Sequence, residues 1–211
     1  MAERAKGFEM FTPWVGPESG NSKTPLGEAR LLVLGESHYS DHHELGSYEP
    51  GMTLDVVARY RTGERERWMR TFDNLAAAIA GSSKRLIGRE GVNSIWEQIA
   101  FYNYVPVVAA SGSRTPPSEA HFALGAPPFE ILLENLRPHA ILVCGYRLWA
   151  RFIPRHASDY TDNVWKPSTP FALIGEQKIP ALRMAHPSTG YSPSFWTPHI
   201  TELLDRANVQ K

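Results

Sequence analysis

Four short apolar runs constrain the fold of this chain more than any other feature. They are Arg30–Leu34 (RLLVL), Ile99–Val105 (IAFYNYV), Ala140–Cys144 (AILVC) and Ala181–Ala185 (ALRMA). Each is the length of a strand, and its near-continuous apolar character suits a strand covered on both faces, as in a parallel sheet. The first and third run into Gly35 and Gly145, the second ends at Pro106, and the fourth ends at His186-Pro187. Each therefore hands its carboxyl end to a turn. Helical patterns fall between them. Phe129, Leu132, Leu133 and Leu136 share one face of Pro128–Arg137, with Pro128 suited to a first turn and Pro138 enforcing the stop. Arg147–Phe152 starts a further helix, Pro198–Ala207 forms a terminal one, and Thr53–Ile79 reads as mostly helical and rich in arginine. The alternation predicts an α/β fold, a three-layer sandwich with a central four-stranded mainly parallel sheet. In such sheets ligands bind at the carboxyl ends of the strands. Ile153–Ile179 fits no regular pattern and reads as a long aromatic loop entering a hairpin strand within PFALIGEQKIPALRMA.

Composition narrows the class. A chain of 211 residues suits one domain with a substantial core, so residues 1–211 are expected to form a single domain with its core over about residues 30–205. Apolar residues at 42% and charged residues at 21% exclude wholesale disorder, a collagen-like repeat and a coiled coil. No stretch reaches the roughly 18 consecutive apolar residues of a membrane span, and the opening MAERAKGFEM lacks a signal peptide's apolar core. The expectation is a cytoplasmic protein, monomeric and away from membranes. The single cysteine, Cys144, excludes an intrachain disulfide, a cysteine-based zinc knuckle and an iron–sulfur cluster. Lys plus Arg (22) equals Asp plus Glu (22), so no global basic charge advertises a nucleic acid, although a local patch can still neutralise phosphates.

Four motifs follow the four runs in order: Gly35-Glu36-Ser37-His38-Tyr39, then Asn103, then Gly145, then His186-Pro187-Ser188. Their order and spacing resemble the uracil-DNA glycosylase superfamily. Its members open with a Gly-Gln-Asp-Pro-Tyr or Gly-Glu-Ala-Pro-Gly loop after the first strand and close with a His-Pro-Ser loop after the last. Ser113–Gly145 is similar to a stretch in the iron–sulfur branch of that superfamily, and the resemblance spans roughly residues 30–205. It implies a uracil-DNA glycosylase-like sandwich and a monofunctional DNA glycosylase. Such a hydrolase flips a pyrimidine out of the stack and leaves an abasic site.

By position in the resemblance, Glu36 is the carboxylate near the sugar and His186 donates to the departing base, the two catalytic roles. Asn103 reads the base edge with its paired donor and acceptor, alongside Tyr39, Ser37 and His38. Ser188, Thr189, Gly190 and Tyr191 press on DNA, with Arg114 as a further contact. No cofactor is implied, and the partner is DNA. The chain departs from the family's pattern at Ser37, where many members carry Asp, at His38 in place of proline, and at Gly190, where the family places a wedge leucine. Tyr191 and Phe195 are the candidates to replace that wedge. Tyr39 favours uracil, whereas Ser37, His38 and the long loops Ser40–Met52 and Ile153–Ile179 favour a modified pyrimidine. A modified cytosine in phage DNA, with a defence role, is one such substrate.

Blander roles compete at each position. Glu36 could cap a turn, His186 could be a packed imidazole, and Asn103 could bond only to backbone. His38, Asp41, His42 and His43 lack matching metal-ligand spacing, and no metal is expected. Arg59, Arg61, Arg65, Arg67 and Arg70 with Lys84 and Arg85 could face phosphates, though Glu64 and Glu66 dilute the charge. Two other function classes remain open: a small serine esterase using Ser37 and His186, and a catalytically silent DNA-binding module.

Overall fold

The structure is a computed structural model, and it describes residues 10–111, 115–158, 171–188 and 190–209. In chain order its elements are β1 (Trp14–Val15), β2 (Leu31–Gly35), β3 (His38–Tyr39), α1 (Met52–Thr62), α2 (Met69–Ile79), α3 (Lys84–Gln98), β4 (Ile99–Asn103) and β5 (Val108–Ala110). There follow α4 (Glu119–Leu124), α5 (Ala126–Leu136), β6 (Ala140–Cys144), α6 (Tyr146–His156), β7 (Phe171–Ile174), β8 (Ile179–Met184) and α7 (Pro193–Val209).

The described strands form a six-stranded sheet in the order β1-β4-β2-β6-β8-β7 and a separate two-stranded sheet, β3-β5. The four inner strands run parallel, whereas β1 and β7 pair antiparallel at the edges. This corrects the expected fold class. The sheet is mixed and six-stranded, with a second small sheet beside it, in place of one four-stranded mainly parallel sheet of uracil-DNA glycosylase type. What the structure supports is a generic α/β arrangement. The physical reason for the shortfall is burial. The apolar-run criterion finds strands covered on both faces, while β1 is two residues long and β7 is only half-buried along most of its length.

Strand periodicity divides the core in two. Leu32, Leu34, Ile141 and Val143 pack with Phe122, Phe129, Leu132, Leu148 and Phe152 from α4, α5 and α6. Leu31, Val33, Ala140, Leu142 and Cys144 pack with Leu75, Ile95, Trp96, Trp196, Ile200 and Leu203 from α2, α3 and α7. Successive side chains of a strand point to opposite faces, so each inner strand supplies both clusters.

Local chemistry sets the element ends. The arginine-rich stretch breaks into α1 and α2 because the chain turns extended at Gly63, whose N–H closes on Arg59 O at 2.8 Å. Helix α5 stops at Arg137, which adopts φ 44° and donates its N–H to Leu133 O at 2.9 Å, just before Pro138. Helix α3 lies where no helix was expected, since Gly88 and Gly91 weaken its pattern. At Gly88 (φ 61°, ψ −169°) the helix is broken by one non-helical residue.

Candidate functional site

Along the parallel strands the order is β4-β2-β6-β8, so the chain leaves β2 toward one side for β4 and reaches the other side for β6. Strand order reverses between β2 and β6, and a crevice opens outside their carboxyl ends at such a point. Residues from all four inner strand ends converge there.

Gly35 closes β2 against Asn103, which closes β4; a Cβ on Gly35 would collide with the Asn103 side chain. The ladder continues past both strands, Tyr104 N–H donating to Gly35 O at 3.0 Å and Val105 N–H to Glu36 O at 2.9 Å. These bonds hold the Glu36 backbone at the mouth of the crevice. On the other side Gly145 (φ 116°) lets β6 pass directly into α6 and donates its N–H to Met184 O at 2.9 Å. That abrupt passage puts Arg147 in the first turn of α6.

Arg147 clamps Glu36 through two hydrogen bonds, Nε to Oε2 at 2.7 Å and Nη2 to Oε1. A planar guanidinium matches a carboxylate in this two-pronged way. The Glu36 side chain is 10% exposed and that of Arg147 46%, so the anion is sheltered and the cation faces outward. The Tyr39 hydroxyl points to Glu36 Oε1 at 3.5 Å. Burial raises the Tyr39 pKa, so the phenol stays protonated and can donate. His186 sits at the exposed rim. Desolvation lowers its pKa, Glu36 opposes that shift and Arg147 adds to it, so the imidazole is neutral at pH 7. The Asn103 amide is nearly buried, and no described residue hydrogen-bonds it.

The structure thus brings together Glu36, Tyr39, Asn103 and His186. His38 is not part of the group. Its ring is buried, bonded to Thr53 Oγ1 at 2.8 Å and edge-on to Phe11. The Ser37 hydroxyl is buried beside Tyr39 without a well-formed hydrogen bond. Asn74 of α2 pins the loop after β8, its Nδ2 donating to Pro187 O at 3.0 Å and Ser188 O at 3.4 Å. In that loop Ser188 and Gly190 are exposed, while Tyr191 stacks on Trp196 with ring planes 11° apart. Phe195, at the start of α7, is 59% exposed. Thr189, Arg114 and residues 159–170 of the 153–179 segment lie outside the described residues. Sequence reasoning missed Arg147 as a site residue and took it only as a helix start. The available signal was an arginine two places after a strand-ending glycine.

Three of the six arginines expected to face phosphates are paired: Arg59 with Glu66 at 2.7 Å, Arg61 with Glu97, and Arg65 with Asp73. Near the opening of α1, Ser40 Oγ bonds His43 Nδ1 at 2.7 Å. Among the described residues no group of three His, Cys, Asp or Glu side chains is placed to hold a metal ion. Among them, too, no helix is long and apolar enough to cross a membrane.

No protein-family model matches the chain, and no curated protein matches it.

The resemblance to the uracil-DNA glycosylase superfamily is therefore corrected. It rested on short motifs in order, and neither the family comparison nor the mixed six-stranded sheet supports it. The monofunctional glycosylase, its base-flipping architecture, and the abasic product on uracil or a modified phage pyrimidine fall with it. Nothing in the described residues is diagnostic of that hydrolase, and its expected carboxylate, Glu36, is held in the Arg147 clamp. The esterase alternative fails on geometry, because Ser37 Oγ is buried beside Tyr39 and makes no hydrogen bond to His186.

Proposed function

We propose that this chain binds DNA as a recognition protein, and that the strand-end crevice accepts the polar edge of a nucleobase in a single strand. The observation that carries the proposal is the unpartnered Asn103 amide beside the Glu36–Arg147 clamp at the switch point. A carboxamide offers a donor and an acceptor side by side, which is the pattern a base edge presents in reverse. Neutral His186 adds a donor or acceptor at the rim, and the outward face of Arg147 suits a phosphate oxygen. Tyr146, 54% exposed and next to Arg147, and Phe195 supply apolar ring faces at the same end of the sheet. Exposed rings of this kind stack bases without regard to sequence. Glu36 serves in this scheme to orient Arg147 and to read a donor on the base. Ser188 and Gly190 lie along the path of the strand.

Fluorescence anisotropy with a labelled single-stranded oligonucleotide tests the proposal. Asn103→Ala and Arg147→Ala should each weaken binding by roughly 10-fold or more, the worth of a base-edge or phosphate contact. An oligonucleotide lacking bases should bind less well than its parent. Absence of saturable binding, or equal affinity in both variants and the parent protein, would overturn it.

A further inference from the structure

A second charged crevice lies at the other end of the sheet. It forms where α1 ends and α3 bends, and it is lined by Arg61, Gly63, Arg65, Asp73, Arg85 and Arg89, with a volume of about 630 Å³. Glu97, the partner of Arg61, precedes β4, whereas Asn103 closes that strand. At about 3.3 Å per residue the two sites are some 15–20 Å apart along β4.

The charge in this groove is unbalanced. Four guanidiniums line it. Arg61 meets Glu97 and Arg65 meets Asp73, while Arg85 and Arg89 have no carboxylate partner among the described residues. Two cations are therefore uncompensated in a concave site. Arg89 is held in place by its neighbours: Nη2 donates to Tyr60 O and the guanidinium lies 5.2 Å from the Tyr60 ring. Arg61 is held likewise, 5.2 Å from the Trp14 ring. Yet Arg61 Nε and Arg89 Nη1 are buried with no hydrogen-bond partner. A buried donor left unsatisfied in a native site calls for an occupant.

The break at Gly88 adds to this. A Cβ there would meet nothing within 4 Å, so packing does not demand the glycine; the positive φ does. Beyond it, Arg89–Gln98 starts a new helical stretch whose first amides lack partners one turn back. Gly88 and Arg89, at that break, line the same groove as the fixed guanidiniums.

We infer that this groove is a second ligand site, for a small molecule bearing a pyrophosphate or terminal phosphate group. Two excess cations match the charge of a phosphate monoester, about −1.5 to −2 at neutral pH. Planar guanidiniums match its oxygens in pairs. The volume lies within the usual range of small-ligand sites, roughly 300–1,000 Å³.

The test is calorimetric titration of the full chain with inorganic pyrophosphate. Saturable binding is expected, weakened by roughly tenfold or more in Arg85→Glu, whose side chain is exposed and whose change the fold tolerates. Arg89→Lys keeps the charge but loses the fork, and should give intermediate affinity. Asn103→Ala, at the other end of the sheet, should bind pyrophosphate as the parent does. No saturable binding, or an Arg85→Glu variant with parental affinity, would overturn the inference. So would loss of pyrophosphate binding in Asn103→Ala. Displacement of pyrophosphate by a short oligonucleotide at equal phosphate concentration, with the same Arg85→Glu sensitivity, would instead assign the groove to a nucleic-acid backbone.

Discussion

Arg147 donates to both carboxylate oxygens of Glu36, the Nε limb at 2.7 Å, and so ties the first turn of α6 to the residue that follows β2. The pair spans the place where the strand order reverses, and it is asymmetric in exposure, 10% for the carboxylate against 46% for the guanidinium. Removing the cation strands a sheltered anion that retains only the long contact to Tyr39. Arg147→Ala should therefore destabilise the chain by about 1–2 kcal/mol, more than a fully exposed ion pair would. Arg147→Lys should recover less than half of this, because an ammonium cannot match both oxygens. Urea unfolding of the two variants provides the measurement.

Gly35 is a packing requirement. Its φ needs no glycine, but the Asn103 side chain and the Phe101 ring occupy the space a Cβ would fill. Gly35→Ala should cost about 1–3 kcal/mol through overpacking and should push Asn103 from its place. A lowered denaturation midpoint together with weakened oligonucleotide binding is the expected pair of results. Parental values for both would show that Asn103 can move freely.

His38 makes stability depend on pH. Burial lowers its pKa from 6.5 to about 3, so the folded state holds it neutral while the unfolded chain takes up a proton near 6.5. Between those values the unfolded state binds more protons than the folded one. The contribution of His38 is thus fully present above about pH 6.5 and is lost progressively as pH falls toward about 3, at up to ~1.4 kcal/mol per pH unit. His38→Gln should remove about one proton from the slope of unfolding free energy between pH 6 and 4, whatever its absolute stability. An unchanged slope would assign the acid sensitivity to other groups.

On the opposite face of the sheet from α2 and α3, a polar chain runs through an aromatic box. Tyr104 Oη contacts His156 Nε2 at 2.9 Å, and His156 Nδ1 contacts Glu130 Oε1 at 2.7 Å. Phe129 and Phe152 flank the imidazole, with ring centroids 4.7 and 4.8 Å away. Tyr104→Phe leaves a buried ring nitrogen without its partner and should cost about 1–3 kcal/mol. Combined with Glu130→Gln, its effect should be non-additive by 0.5 kcal/mol or more in a double-mutant cycle, since both groups act on one ring. Additive effects would mean that the two contacts are independent.

The sequence by itself determined the inner strands and most of the helices. Their signals are local: an apolar run as long as a strand at Ala140–Cys144, a helical stripe through Phe129, Leu132 and Leu133, a proline after Arg137. It also marked Gly35, Asn103, Gly145 and His186 as strand-end residues. Three things depended on tertiary structure. Edge strand β1, two residues long, was illegible because a strand covered on one side need not be apolar throughout, whereas β7 is the hairpin strand expected within PFALIGEQKIPALRMA, and only its place at the sheet edge came from the structure. The family resemblance was misleading because short motifs in order leave sheet order, edge pairing and side-chain direction unspecified. His38 sits one residue from Ser37 and one from Tyr39, yet its ring turns into the core toward Thr53 while Tyr39 turns to Glu36. The Glu36–Arg147 clamp joins residues 111 positions apart. No local pattern encodes that contact; it exists because β2 and β6 are neighbours in the sheet and end at the same level.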